Sequence, residues 1–335
     1  MKVLVTGAAG FIGSHLSDLL LHRGHEVVGV DSLVHGRLEN LESARASSRF
    51  ELLEFDVRDG DKLADAAADC DVVVHLAALK IPRYGHALDT VAVNVDGGRA
   101  ALEAARLAGA KCVLASTSDV YGKSRDLPFR EDSDCVIGPT TSRRWAYAAS
   151  KLSVEHLAYG YQDKYGMPVT LLRFFGTYGE RQYLNWWGGP QGVFLEAIDS
   201  GRPIELHGDG TQTRCFIHVD DLVHGTALTC ELESANGQIF NLGTTEEVSI
   251  KELATRMHAL SGRSAALELR LIPYESFPGS YEDVSRRVPD MSKARELLGF
   301  TPAIGLDEGI GRLWAWYDAG QPHLARESVA RRATR

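Results

Sequence analysis

The sequence predicts an α/β fold, a doubly wound parallel sheet followed by a smaller C-terminal α/β lobe. Through the first 180 residues, apolar runs of strand length alternate with stretches of helical periodicity. A glycine-rich turn joins the first strand to the first helix. Beyond it, breaks at Gly188-Gly189-Pro190, Gly208-Asp209-Gly210 and Pro278-Gly279 cut the pattern into short pieces.

The elements follow in order. Residues 3–5 form a strand, and 11–22 repeat apolar side chains at helical spacing. Strands are expected over 26–30, 71–76, 112–116 and 169–174, with helices over 94–107 and 147–165. Parallel strands separated by helices imply right-handed crossovers. Later, an alternating strand at 239–243 is expected to join the first sheet, with helices over 250–261 and 291–298. This divides the chain into a dinucleotide-binding domain at 1–180, a substrate lobe mainly over 181–320 and a basic tail at 321–335.

Composition narrows the class. With 44% hydrophobic and 24% charged residues, the chain is an ordinary globular protein. A formal charge of −9 argues against nucleic acid as partner, while leaving room for an anionic small molecule held by local arginines. The five cysteines show no CxxC pair and the twelve histidines no ligand spacing, so neither a disulfide framework nor a metal site is expected, and a reducing cytoplasm is. No run reaches the ~20 apolar residues of a membrane span.

The loop Gly7-Ala-Ala-Gly10-Phe11-Ile12-Gly13 stands where a pyrophosphate meets a helix N-terminus in dinucleotide folds. Asp31 ends the second strand, where a carboxylate binds both ribose hydroxyls and repels a 2′-phosphate, so NAD is favoured over NADP. Asp31 as a helix cap is the alternative. Tyr147 and Lys151 lie four apart on one helix face, and a neighbouring ammonium favours the phenolate, making Tyr147 a candidate base.

The GxxGxxG spacing together with Tyr147-Ala-Ala-Ser-Lys151 resembles the short-chain dehydrogenase/reductases, specifically the extended branch of NDP-sugar epimerases and dehydratases. The resemblance runs through Asp56-Val57, His75-Leu76-Ala77-Ala78, Asn94-Val95, Ser116-Thr117-Ser118-Asp119-Val120-Tyr121-Gly122, Asp209-Gly210-x-Gln212-Thr213-Arg214 and Arg287-Val-Pro289-Asp290. It implies a Rossmann fold binding NAD, a cytoplasmic homodimer and a UDP-sugar substrate. It also implies a cofactor site adding Asp56, Val57, Leu76, Ala77, Ala78, Asn94 and Phe174 to the glycine loop, Asp31, Tyr147 and Lys151. Thr117 would bond the reacting hydroxyl, with Ser118 beside it.

Ser118-Asp119 resembles the Ser-Glu of UDP-glucuronate decarboxylases with Asp replacing Glu. Arg287 stands where those enzymes place an arginine beside the sugar carboxylate, and Arg144-Trp145-x-Tyr147 is similar to other decarboxylating members. The implied activity is oxidation at C4 followed by loss of CO₂ from C5, giving UDP-xylose or its 4-keto form. Arg214 would grip the diphosphate, with Arg181, Arg83, Tyr84, Asn185 and Gln191 as further substrate candidates. The family's substrate-contacting Asn is replaced by Gly176. A 4-epimerase is the alternative, a 4,6-dehydratase the next, although its Asp-Glu pair is missing. A catalytically silent nucleotide sensor on this fold is opposed by the intact Thr117, Tyr147 and Lys151 set.

Overall fold

The computed structural model describes residues 1–80, 86–277 and 282–320. The first half runs β1 (Lys2–Thr6), α1 (Phe11–His22), β2 (Glu26–Asp31), a one-turn α2 (Glu42–Arg45), β3 (Phe50–Glu54), α3 (Gly60–Ala67) and β4 (Val72–His75). It continues with α4 (Ala87–Ala108), β5 (Lys111–Thr117), α5 (Trp145–Tyr165) and β6 (Val169–Phe174). The second half runs β7 (Gly176–Tyr178), α6 (Pro190–Asp199), β8 (Ile204–His207), β9 (Thr213–His218), α7 (Val219–Glu231), β10 (Gln238–Leu242) and β11 (Glu247–Ser249). The remaining elements are α8 (Ile250–Leu260), β12 (Leu269–Ile272), β13 (Arg286–Arg287), α9 (Ser292–Leu298) and α10 (Leu306–Asp318).

Seven strands form one sheet in the order β10-β6-β5-β4-β1-β2-β3, every pair parallel. Successive side chains of a strand face opposite ways, and β1 shows the consequence. Val3 and Val5 pack with Leu16 and Leu20 of α1 and Leu222 of α7, whereas Leu4 packs with Leu63 of α3, Leu102 of α4 and Val154 of α5. Helices therefore cover both faces, as the doubly wound expectation requires. Strand order reverses between β1 and β4, which opens a crevice at their C-terminal ends.

Three expectations shift. The fourth helix starts at Ala87 rather than at 94, because Leu88 and Val91 of its first turns are exposed and leave no buried apolar stripe to read. Strand β3 and helix α3 were not anticipated: β3 is a half-exposed edge strand reading Phe-Glu-Leu-Leu-Glu, short and without strict alternation. The region after 180 is also more regular than its broken pattern suggests. Phe194, Leu206, Leu253, Ile310 and Trp314 build a core of their own among α6, β8, α8 and α10. Meanwhile Leu222 of α7, Phe240 of β10 and Leu298 of α9 pack into the same cluster as Val3. The chain thus returns twice to the first sheet. Among the described residues, no helix is long and apolar enough to cross a membrane.

Candidate active site

The crevice is a cleft of about 1150 Å³ running from the glycine loop to the second core. At one end β1 passes into α1 through a turn that only glycine fits. Gly7 has φ +71°, and a Cβ on Gly13 would lie 2.1 Å from the Gly7 carbonyl oxygen. Helix α1 begins with no side-chain cap and no acid in its first turn, so its leading N–H groups are left for an anion. Phe11, Ile12, Leu76, Ala77, Ala78, Val57 and Phe174 line the same space. Asp31 Oδ2 accepts from Ala9 N at 3.0 Å and Oδ1 from Leu33 N at 2.8 Å. Each oxygen keeps a second lone pair, and burial raises the carboxyl above its ordinary range. Asp56 lines the cleft with Arg58 held against it, Nη2 to Oδ2 at 2.6 Å. The uncapped helix, the glycine cradle and the carboxylate fit a dinucleotide.

The candidate reacting groups meet where β5 ends. Thr117 Oγ1 accepts from Asp119 N at 3.2 Å, shaping the turn that presents Ser118 and Asp119, and its side chain faces the Tyr147 phenol. Burial pushes the Tyr147 phenol up, and the Asp119 charge adds to that, with only the Thr117 side chain opposing. Lys151 Nζ donates to the Ala115 carbonyl at 2.8 Å, and burial brings its ammonium down to about 8 against the pull of Glu155.

Three arginines and two aspartates from four segments converge beside Tyr147. Arg287 Nη1 lies 2.7 Å from Asp119 Oδ1, and Arg144 Nη2 lies 3.6 Å from the same oxygen. Arg144 and Arg214 both hold Asp283 Oδ1, at 2.9 and 2.8 Å. Burial would raise Asp119, but Arg287, then Arg144 and Arg214, outweigh it and hold the carboxyl below its ordinary range. Asp283 is brought to about 2 in the same way, burial being outweighed by Arg214 and Arg144. Burial and the neighbouring Arg287 bring Arg214 down to about 10. Counting charges, this cluster carries one excess positive charge, which suits an anionic ligand.

Several candidates stand elsewhere than the sequence suggested. Asn94 does not face the cleft: it exchanges bonds with the Leu79 backbone at 2.9 and 3.1 Å and donates to Ser150 at 2.9 Å, so its amide is consumed inside the protein. Arg181 turns to α1, 2.8 Å from Asp18, rather than to the cleft. Asn185 caps its own loop by accepting from Trp187 N at 2.9 Å. Arg83 and Tyr84 lie outside the described residues. Gln191 does line the cleft, its Nε2 buried and unpartnered. Gly176 follows from packing: a Cβ there would meet the Phe216 ring at 2.8 Å, so β7 can approach β9 only without a side chain.

Other cleft residues escaped the sequence reading. Arg144 was visible in its Arg-Trp-x-Tyr setting but received no role. Asp283 gave no signal, being 139 residues from its partner Arg144. Lys80 lines the cleft, crowded by its walls yet open to its solvent, and that crowding brings its ammonium down to about 8 against the attraction of Asp119. Trp187 stacks on His35 at 5.1 Å and Trp186 packs on His207 at 4.4 Å, so one loop touches both ends of the cleft.

With this geometry in place, comparison with known proteins is informative. The model of the NAD dependent epimerase/dehydratase family matches residues 3–243. The chain is 35% identical to the UDP-N-acetyl-alpha-D-glucosaminuronate decarboxylase of Bacillus cytotoxicus, over 94% of this chain and 97% of that protein. It is 37% identical to the UDP-glucose 4-epimerase of Mycolicibacterium smegmatis, over 93% and 97%. Among solved structures, the UDP-glucuronic acid 4-epimerase of Bacillus cereus in complex with UDP-glucuronic acid and NAD superposes with a TM-score of 0.84 at 31% identity, covering 95% of this chain and 99% of the other.

Proposed function

Because the chain belongs to the NAD dependent epimerase/dehydratase family, we propose that it oxidises C4 of a UDP-hexuronate, UDP-glucuronate foremost, and releases CO₂ from C5. One observation carries this reading: the guanidinium groups of Arg287 and Arg144 converge on the Asp119 carboxylate beside Tyr147. A place where two arginines already hold a carboxylate is a place for a uronate.

The glycine loop, the N-terminus of α1, Asp31 and the apolar lining at Leu76 to Ala78 would hold NAD. When bound, NAD supplies the two-electron acceptor for C4 and a positive charge near Tyr147. Tyr147 takes the C4 hydroxyl proton, with Thr117 bonded to the same oxygen. A ketone at C4 makes the substrate a β-keto acid. The C5–carboxylate bond then breaks, CO₂ leaves, and the electron pair enters an enolate whose oxygen is bonded by Tyr147 and Thr117. Arg287 and Arg144 orient the carboxylate, and Arg214 takes the diphosphate. Asp119 is held ionised by these arginines, so it anchors Arg287 rather than donating a proton; the proton that completes C5 comes from solvent. Protonation of the enolate gives the UDP-4-keto-pentose; if the hydride first taken from C4 were returned to it the product would be UDP-xylose, and if the ketone left first the cofactor would remain reduced.

A 4-epimerase is the second reading, favoured by 4-epimerases among the similar proteins. Incubation with NAD and UDP-glucuronate, followed by mass spectrometry, separates the two. Loss of the mass of CO₂ is the expected result. An unchanged mass with inverted C4 by NMR would make the protein an epimerase, and no turnover would overturn the uronate reading. The cytoplasmic setting also stays a proposal, resting on an odd number of cysteines without paired spacing.

A further inference from the structure

Tyr147, Lys151 and Glu155 follow at intervals of four along α5, so they share one face of that helix. That face meets the last three residues of β5 one by one. Lys151 Nζ donates to the Ala115 carbonyl, Ser116 Oγ donates to Glu155 Oε1, and the Thr117 side chain faces the Tyr147 phenol. Glu155 is only 4% exposed, yet both its oxygens are satisfied. Arg173 of β6 grips it bidentately, Nε to Oε1 at 3.1 Å and Nη2 to Oε2 at 2.7 Å. Arg173 is fixed in turn: it donates to the Glu131 carbonyl at 3.1 Å and lies 4.6 Å above the Tyr121 ring, whose hydroxyl donates to Asn241 at 2.7 Å.

A buried ion pair is poor evidence of stability for its own sake, since well-packed apolar side chains of similar volume often serve as well or better. This one, however, lies a single helical turn from Lys151 and bonds the strand residue next to Thr117. We propose that Glu155 is a positioning residue: braced by Arg173 and Ser116, it sets Tyr147 and Lys151 against the end of β5 and supplies the buried negative charge that Lys151 faces. The inference rests on Tyr147 and Lys151 being the reacting pair.

The physical need is clear from the surroundings of Lys151. Burial drives a lysine toward its neutral form, and Glu155 on its own helix opposes that. From β4, His75 faces the lysine, but burial brings that imidazole down to about 3 and keeps it neutral near pH 7. Arg173 on β6 is committed to Glu155. At the cleft end, Asp119 is bonded to Arg287, Arg144 is shared between Asp119 and Asp283, and Lys80 adds a further positive charge. Glu155 is therefore the carboxylate closest along the helix that favours the ammonium.

The test uses [ε-¹³C]lysine NMR of the full chain without ligand, with the Lys151 signal assigned from Lys151→Met. In Glu155→Gln, the Lys151 titration should move down by about one pH unit, as expected for loss of a nearby opposite charge. The alkaline limb of kcat should follow it. Glu155→Asp keeps the charge and should restore the wild-type titration. Since Glu155→Gln leaves Arg173 buried without its partner, the double variant Glu155→Met with Arg173→Met removes both charges together and should show a smaller move in the same direction, the lost positive charge offsetting part of it. A Lys151 titration unmoved in the folded variants would overturn the proposal, as would an equal shift in Glu155→Asp. If the wild-type protein turns over no nucleotide sugar, the functional reading fails, while the NMR titration still decides this one.

Discussion

Asp119 Oδ1 lies 2.7 Å from Arg287, and that contact divides the work among the charged groups of the cleft. A carboxylate so held is ionised and cannot act as the proton donor that a free acid could be; its value lies in presenting Arg287 beside Tyr147. In the uronate reading, Arg287→Ala should lower CO₂ release by about 10²-fold, the scale of losing one oriented donor to developing charge. NAD affinity, measured by fluorescence titration, should be unchanged. An unaffected rate of CO₂ release would remove Arg287 from the mechanism. Asp119→Asn should weaken decarboxylation more than C4 oxidation, read by comparing CO₂ release with NADH formation.

At the scale of elements, the junction of β1, the glycine loop and α1 is packed too closely for side chains. The chain turns at Gly7, and α1 then rises so closely over it that Gly13 has no room for a methyl group. Gly13→Ala should lower stability by about 1–3 kcal/mol through overpacking, read from urea unfolding. It should also weaken NAD binding by at least about tenfold, because the displaced loop no longer aims its N–H groups together. Wild-type affinity in the variant would show that the turn tolerates a Cβ and that the cradle does not bind the cofactor. Helix α5 works differently. Besides the packing of Val154 and Ala158 in the core, it is tied by the bonds that Lys151 and Glu155 make to β5 and β6.

Over the whole molecule, ion pairs join segments that the cores leave apart. Glu180, after β7, meets His218 at the end of β9 at 3.1 Å and Arg312 of α10 at 3.4 Å. Burial would raise Glu180, but the close His218 contact and the nearby positive charges bring it down to about 2. Asp283 is likewise near 2, and both are thus depressed below their unfolded values near 3.8 and 4.5. Groups shifted this way contribute stability above the unfolded pKa and lose it as pH falls through the folded one. The urea midpoint should therefore hold at neutral pH and fall between about pH 4.5 and 2. Glu180→Gln should flatten that decline, and an identical profile would show that this seam does not carry the acid sensitivity.

Much of the first 180 residues is legible without a structure because the signals there are local. The strand–glycine–helix order, the acid ending β2, and a tyrosine and lysine four apart each depend on a few neighbouring residues. Short-range signals mislead where the partner is out of view. Asn94 reads as a cofactor contact, but its amide is absorbed by Leu79 and Ser150, the latter 56 residues away. Arg181 reads as a diphosphate ligand, but Asp18 captures it across 163 residues.

By itself, then, the sequence determined the α/β class, the dinucleotide cradle and the Tyr147–Lys151 pair, because backbone conformation and helical spacing are set within a turn or two. Only the tertiary structure decided the substrate end. Arg144, Arg214, Arg287, Asp119 and Asp283 come from four segments, and no spacing along the chain reveals that they share one set of ion pairs. The same holds for Glu155 and Arg173, whose pairing requires α5 to be laid across β5 and β6. Charges act through space and are bound only by distance, so their partners appear when the packing of the two cores has brought them together.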